Sequence, residues 1–156
     1  MTRPVRPNDL YASDYALWLD GQVAALERGD VAALDLANLA DEVGDLGRSE
    51  RDAIASNLTV ILIHLLKWRH QPSKRKRGWE ASIAEHRKRI RRQVERSPSL
   101  RNHPEEVLQD EYEIARLRAA AEMGVNLSAL PEACPFSIDQ VLDPGFLPGP
   151  SLLDPR

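Results

Sequence analysis

The chain has 156 residues, 42% hydrophobic and 29% charged, with one cysteine and a formal net charge of −3. That length fits one domain, able to bury about two-thirds of its unfolded surface without a disulfide or a metal. The composition excludes a disordered chain, and the lone Cys134 excludes an intrachain disulfide or a multi-cysteine zinc site. The longest apolar run, residues 60–63, falls far short of the roughly 18 residues of a membrane span. The N-terminus shows no apolar segment of a secretory signal, so a cytoplasmic location is expected.

The charge is unevenly placed. Residues 67–96 hold 12 of the 21 Lys and Arg against three acids, a local +9, and the rest of the chain carries −12. Residues 1–12, with two prolines and no periodicity, read as an arm. A single helical domain is expected over 13–148, and a loose tail over 149–156.

Ser13 or Asp14 can cap a first helix, in which Tyr15, Trp18, Leu19, Val23 and Leu26 follow a 3-4 spacing up to a stop at Gly29. Asp35 can cap a second, long helix over about 36–70. At about 100° per residue, Leu36, Val43, Ile54, Ile61 and Leu65 fall within about 20° of one line, which predicts a continuous rod of roughly 50 Å. Gly44 and Gly47 oppose this, each costing about 1 kcal/mol in a helix interior, and a kink there is the alternative. From Leu58 to Leu66 the helix is apolar almost all round. Such a helix is buried on more than one side. It is expected to be central, with an added subunit contact through Val60, Ile63 and Leu66.

Residues 73–78, SKRKRG, read as a basic loop. Trp79, Ile83, His86, Ile90 and Val94 then mark a third helix with a narrow apolar stripe, ended by Ser97-Pro98-Ser99. Pro104, Glu105 and Glu106 suit the first turn of a fourth helix. Its inner face is Val107, Leu108, Tyr112, Ala115 and Ala119, and it stops at Gly124. Ser137 and Gln140 form a capping-box pattern for a short helix over 138–142. Beyond it a proline-rich tail follows, with Phe136, Phe146 and Leu147 placed to pin it down. The fold class is therefore all-α: four main helices in a bundle, the second long, plus a short C-terminal helix.

Several stretches together carry a resemblance: LDLANLADEVGDLGRSER (34–51), LIHLLKWRHQP (62–72), Trp79 opening the next helix, SPSLR (97–101) and LPEACPFSIDQVLDPGFLP (130–148). In this order and spacing the chain resembles the bacterial family called domain of unknown function 29, from about Tyr11 to Pro148. The resemblance implies a small helical protein in a bacterial cytosol. It carries over no catalytic residue.

No catalytic, metal or nucleotide motif stands out, and no cofactor is expected. In the basic stretch, Lys74, Arg75, Lys76, Arg77, Arg87 and Arg91 are candidate phosphate contacts, with Trp79 placed to stack on a base. Against a nucleic-acid partner stands a pI near 5.8; pairing of the basic block with the acidic remainder is the nearer expectation. Glu42, Asp45, Glu50 and His64 share the long helix, but Glu42 and His64 lie roughly 33 Å apart along it, too far for one ion. Glu50 falls near the apolar line and needs a partner from another helix. His64, His86 and Cys134 read as packed core residues, and Trp18, Trp68 and Trp79 most simply as core or interface anchors. Ser49 lacks the strand-turn-helix setting of a nucleophile. Three functions remain, in order: an interaction protein that self-associates or binds a protein partner, a nucleic-acid accessory protein, and an enzyme with an unrecognised carboxylate or histidine site.

Overall fold

A computed structural model describes residues 7–150 and residue 152, and the described residues form no strand. The helices are α1 (Pro7–Ser13), α2 (Tyr15–Arg28), α3 (Leu36–His70), α4 (Arg77–Arg96), α5 (His103–Met123) and α6 (Ile138–Leu142). Short 3-10 turns cover Val31–Ala33, Pro72–Lys74, Pro98–Leu100 and Leu127–Ala129. The all-α class and the long α3 are as the residue pattern predicts.

Local chemistry explains where the helices begin and end. Asp14, rather than Ser13, caps α2, its Oδ1 accepting the Leu17 N–H at 3.1 Å. Gly29 and Gly124 both end their helices at φ 68°, a left-handed conformation that glycine adopts without strain. Ser137 and Gln140 close the predicted capping box on α6. The helix α3 runs unbroken through Gly44 and Gly47. The basic loop is shorter than expected: a 3-10 turn fills 72–74 and α4 already starts at Arg77. The arm also contains a helix the pattern did not show. Pro7 occupies the first position of α1, where its missing N–H breaks no helical bond. The rest of the arm, residues 1–6, and residues 151 and 153–156 of the tail lie outside the described residues.

The chain divides into two compact units, one ending at Ser49 and one starting at Glu50. The first contains α1, α2 and the start of α3. Its centre mixes apolar and polar side chains. Trp18, Ala25, Gln22 and Asp35 are buried. The Trp18 indole donates to Asp35 Oδ2 at 3.1 Å, and the Asp35 backbone N–H donates to Gln22 Oε1 at 2.7 Å. Burial alone would raise the Asp35 pKa. Hydrogen bonds from the Asn38 side chain, the Trp18 indole and the Asn38 backbone outweigh it and hold the carboxyl below its ordinary value.

The buried stripe of α2 is thus Trp18, Gln22 and Ala25. Leu19, Val23 and Leu26, expected to face inward, are exposed. The 3-4 spacing runs through both sets, and the hydrogen-bonded pair of Gln22 and Asp35 fixes which one turns in. The same reversal affects α3, where Leu36 and Val43 are exposed although they share a line with the buried Ile54, Ile61 and Leu65.

The second unit has one apolar core. Ile54, Leu58, Ile61, Leu62, Leu65 and Leu66 of α3 meet Ile83 and Ile90 of α4, and Tyr112, Ala115 and Ala119 of α5. Val141 of α6 and Phe136 complete it, with Phe146 and Leu147 packed against it as predicted. Ile63 is 3% exposed and Leu66 fully buried within this chain, so α3 is central here and these two side chains are not available to another subunit. Of the expected contact face only Val60 is partly open.

Candidate functional site

Two tyrosines hold one carboxylate in the first unit. Tyr11 and Tyr15 donate to the two oxygens of Glu42, each at 2.6 Å. The rings of Tyr11, Tyr15 and Trp18 pack edge-on and stacked against one another. Hydrogen bonding to Glu42, then burial and the Glu42 charge, push Tyr11 up to about 12, and Tyr15 is raised for the same reasons. The neutral phenol is the form favoured in the fold. This stabilisation is therefore complete below the ordinary tyrosine pKa near 10 and is lost as pH rises towards 12. A tyrosinate absorbance titration should show all three tyrosines ionising late, since burial also raises Tyr112. In Glu42→Gln, Tyr11 and Tyr15 should return towards the ordinary range while Tyr112 stays put. Unchanged curves for the variant would refute the assignment.

Glu42 is thereby a structural acceptor, and Asp45 pairs with its neighbour Arg48. Glu50 finds the expected partner on another helix: it forms an ion pair with Arg96 of α4, while its Oε2 is buried without a hydrogen bond. His64 and His86 each place Nδ1 on the carbonyl four residues earlier, Val60 and Ser82. Burial lowers the His64 pKa, with Lys67 adding to the effect and the Val60 carbonyl opposing it. Cys134 points at the Phe136 carbonyl, and burial raises its thiol. Among the described residues no group of three or more His, Cys, Asp or Glu is placed to hold a metal ion.

The basic stretch is largely engaged within the chain. Arg87 is 6% exposed. Its Nε donates to the Val141 carbonyl at 2.7 Å, and its Nη2 to the carbonyls of Phe146 at 2.9 Å and Gln140 at 3.2 Å. Burial pushes its pKa down to about 10, partly offset by Asp143, so it remains a cation near neutral pH. Arg75 donates to the Trp68 carbonyl at 2.8 Å and lies over the Trp68 ring. Lys67 pairs with Glu122 at 2.7 Å and sits over Trp79, as does Lys76. Trp79 itself is only 7% exposed and presents no face for a base. Arg89 pairs with Glu85. Of the six candidate phosphate contacts, Arg75 and Arg87 are bound to carbonyls and Lys76 covers a ring. Lys74, Arg77 and Arg91 stay exposed.

Arg116 of α5 repeats the arginine device. It donates to the Leu130 carbonyl at 2.9 and 3.1 Å and to that of Leu127 at 3.0 Å. Residue pattern did not single out Arg116, or the carbonyl-binding role of Arg87. The only local signal was an arginine at an i+4 step from Ile83 on the α4 stripe.

A model of the protein family described as Domain of unknown function DUF29 matches residues 10–147. The chain belongs to the DUF29 family. No curated protein and no solved structure matches it. The DUF29 match spans both units and includes Glu42, Arg75, Arg87 and Arg116, but the family description carries no activity to assign to them. No helix among the described residues of this DUF29 chain is long and apolar enough to cross a membrane.

Among the described residues, two surfaces stand out. One is apolar and lies on the first unit: Leu36, Val43 and Leu46 on α3 are 61%, 65% and 69% exposed, and Leu19, Val23 and Leu26 on α2 are also open. The other is a cavity of about 530 Å³ on the second unit, between α4, the Pro98 turn, the start of α5 and the end of α6.

Proposed function

We propose that this DUF29 protein is an interaction module that pairs with a second copy of itself through the first unit. The observation that carries this reading is the exposed apolar line of Leu36, Val43 and Leu46 on α3. Single exposed leucines need no explanation, but a line kept in phase along one helix does. With Leu19, Val23 and Leu26, the side chains left in water amount to on the order of 600 Å², approaching the roughly 800 Å² each partner buries in a stable specific interface.

A second copy suits the surface for an electrostatic reason. The first unit is acidic, yet Asp41 and Asp45 of α3 lie roughly 140° or more around the helix from Val43 at about 100° per residue. Two copies meeting line to line across a two-fold axis would therefore keep these carboxylates apart. This supports self-pairing over a nucleic-acid role, because much of the basic stretch is already bound to carbonyls, rings and acids.

Sedimentation equilibrium of the full chain at micromolar concentrations should show a dimer. The double variant Val43→Glu/Leu46→Glu should be a monomer with unchanged helical circular dichroism. A wild-type chain that stays strictly monomeric through tens of micromolar would overturn the proposal.

A further inference from the structure

The cavity on the second unit has an apolar floor and a basic rim. Ile90 and Val94 of α4, Pro104 of α5 and Leu142 of α6 supply the floor. Ile90 and Pro104 are buried and Val94 and Leu142 half-buried, so this surface is part of the packed core that opens outward. Lys88, Arg91 and Arg101 stand at the rim with a single acid, Glu95. Arg91 is held only loosely by Glu95, at 3.9 Å. Among the described residues, Lys88 and Arg101 have no side-chain hydrogen bond or ion pair. This differs from the rest of the basic stretch, where most cations have a partner. Arg87 forms the back of the cavity, and its bonds to Gln140, Val141 and Phe146 set the position of the Leu142 wall.

We infer that this cavity is a binding site for a small organic anion with an apolar body, a carboxylate on a chain or ring system. Its volume of about 530 Å³ lies within the range of about 300–1,000 Å³ common to small-molecule sites. The floor offers dispersion contact and removes apolar surface from water. The three cations offer a carboxylate charge-assisted hydrogen bonds, and an arginine fork can bind both of its oxygens. A neutral ligand would gain only the floor. A cationic one would meet four like charges, Arg87 at the back and three at the rim, against one acid.

Dodecanoate, dodecanol and dodecylammonium are suitable probes, because they share a chain and differ in head charge. Titrated into the full-length 15N-labelled protein, dodecanoate should give saturable amide shifts over residues 84–95, at Arg101 and at Leu142. It should bind at least about tenfold more tightly than dodecanol, as expected for one or two charge-assisted hydrogen bonds. Lys88→Ala/Arg91→Ala replaces two exposed side chains and should keep the fold while removing most of that preference. Val94→Trp should fill the cavity and abolish the shifts for both chains. The inference is overturned if no saturable shifts occur or if dodecanol binds as well as dodecanoate. It is equally overturned if dodecylammonium is preferred, if the double alanine variant keeps the preference, or if the shifts map to Leu36, Val43 and Leu46 instead.

Discussion

Replacing Arg87 by alanine should lower the stability of the second unit by about 2–4 kcal/mol, because three main-chain carbonyls lose a buried charged donor. The loss is concentrated. Gln140 and Val141 are at the end of α6, where helix carbonyls have no intrahelical partner, and Phe146 lies in the irregular segment that follows. Without the guanidinium these carbonyls must find water or stay unsatisfied, and α6 loses its tie to α4. Hydrogen exchange should therefore speed up most over residues 138–147, ahead of the α3 core. Arg87→Lys should recover only part of the stability, since one ammonium on a flexible stem cannot span three acceptors as a planar fork can. Denaturant unfolding gives the energy and exchange gives the place. Wild-type stability in Arg87→Ala, within about 0.5 kcal/mol, would remove the clamp from the account of this fold.

The second large effect separates two leucines on one helix. Leu65→Ala should cost about 3–5 kcal/mol, because Leu65 is fully buried in the α3 core and its removal leaves a cavity among packed neighbours. Leu36→Ala, on the same line of α3 but 61% exposed, should change monomer stability by less than about 0.5 kcal/mol. The same Leu36→Ala change should weaken self-association, so its effect should grow with protein concentration while that of Leu65→Ala should not. Urea titrations at two concentrations make the comparison. Equal costs for the two variants in the dilute protein would mean that Leu36 is buried after all. A Leu36 variant with no concentration dependence would count against the pairing surface.

Residue chemistry made much of this legible because its signals act within a turn or two. A glycine after the last apolar residue, a Ser-x-x-Gln box and a proline followed by acids each satisfy or spare particular backbone groups. They mark the ends of α2, α5 and α6 where the structure has them. The apolar stripes of α4 and α5 have one dominant face each, so the residue pattern alone marks Ile83, Ile90, Tyr112, Ala115 and Ala119 as core, where the fold has them. On α2 the residue pattern points to the wrong face, because Leu19, Val23 and Leu26 outweigh Trp18, Gln22 and Ala25 in hydrophobicity. Yet Trp18 and Gln22 bury the hydrogen bonds to Asp35. A buried polar pair that is satisfied can decide orientation against a simple count of apolar residues.

The basic block shows the other limit. Its charge is plain from composition, but composition does not say whether a cation meets a phosphate, a carboxylate or a carbonyl. The carbonyls that Arg87 reaches lie more than fifty residues away in the chain. The cavity has the same character, because its floor and rim come from α4, a turn, α5 and α6 together.

The residue pattern alone is enough to establish that this chain is helical, where most of its helices start and stop, and that Leu58 to Leu66 belong to the centre of a core. Those properties rest on local hydrogen bonds and on the 3.6-residue repeat, which need no distant partner. The packed fold settles what the pattern leaves open: that α3 runs unbroken through Gly44 and Gly47, which face of α2 turns inward, which half of the α3 line stays open, and which arginines are bound to carbonyls. It also decided which cations remain available at the cavity. Apart from the course of α3, each of these is a choice between partners far apart in the chain, made by which buried polar groups can be satisfied and which apolar surfaces meet.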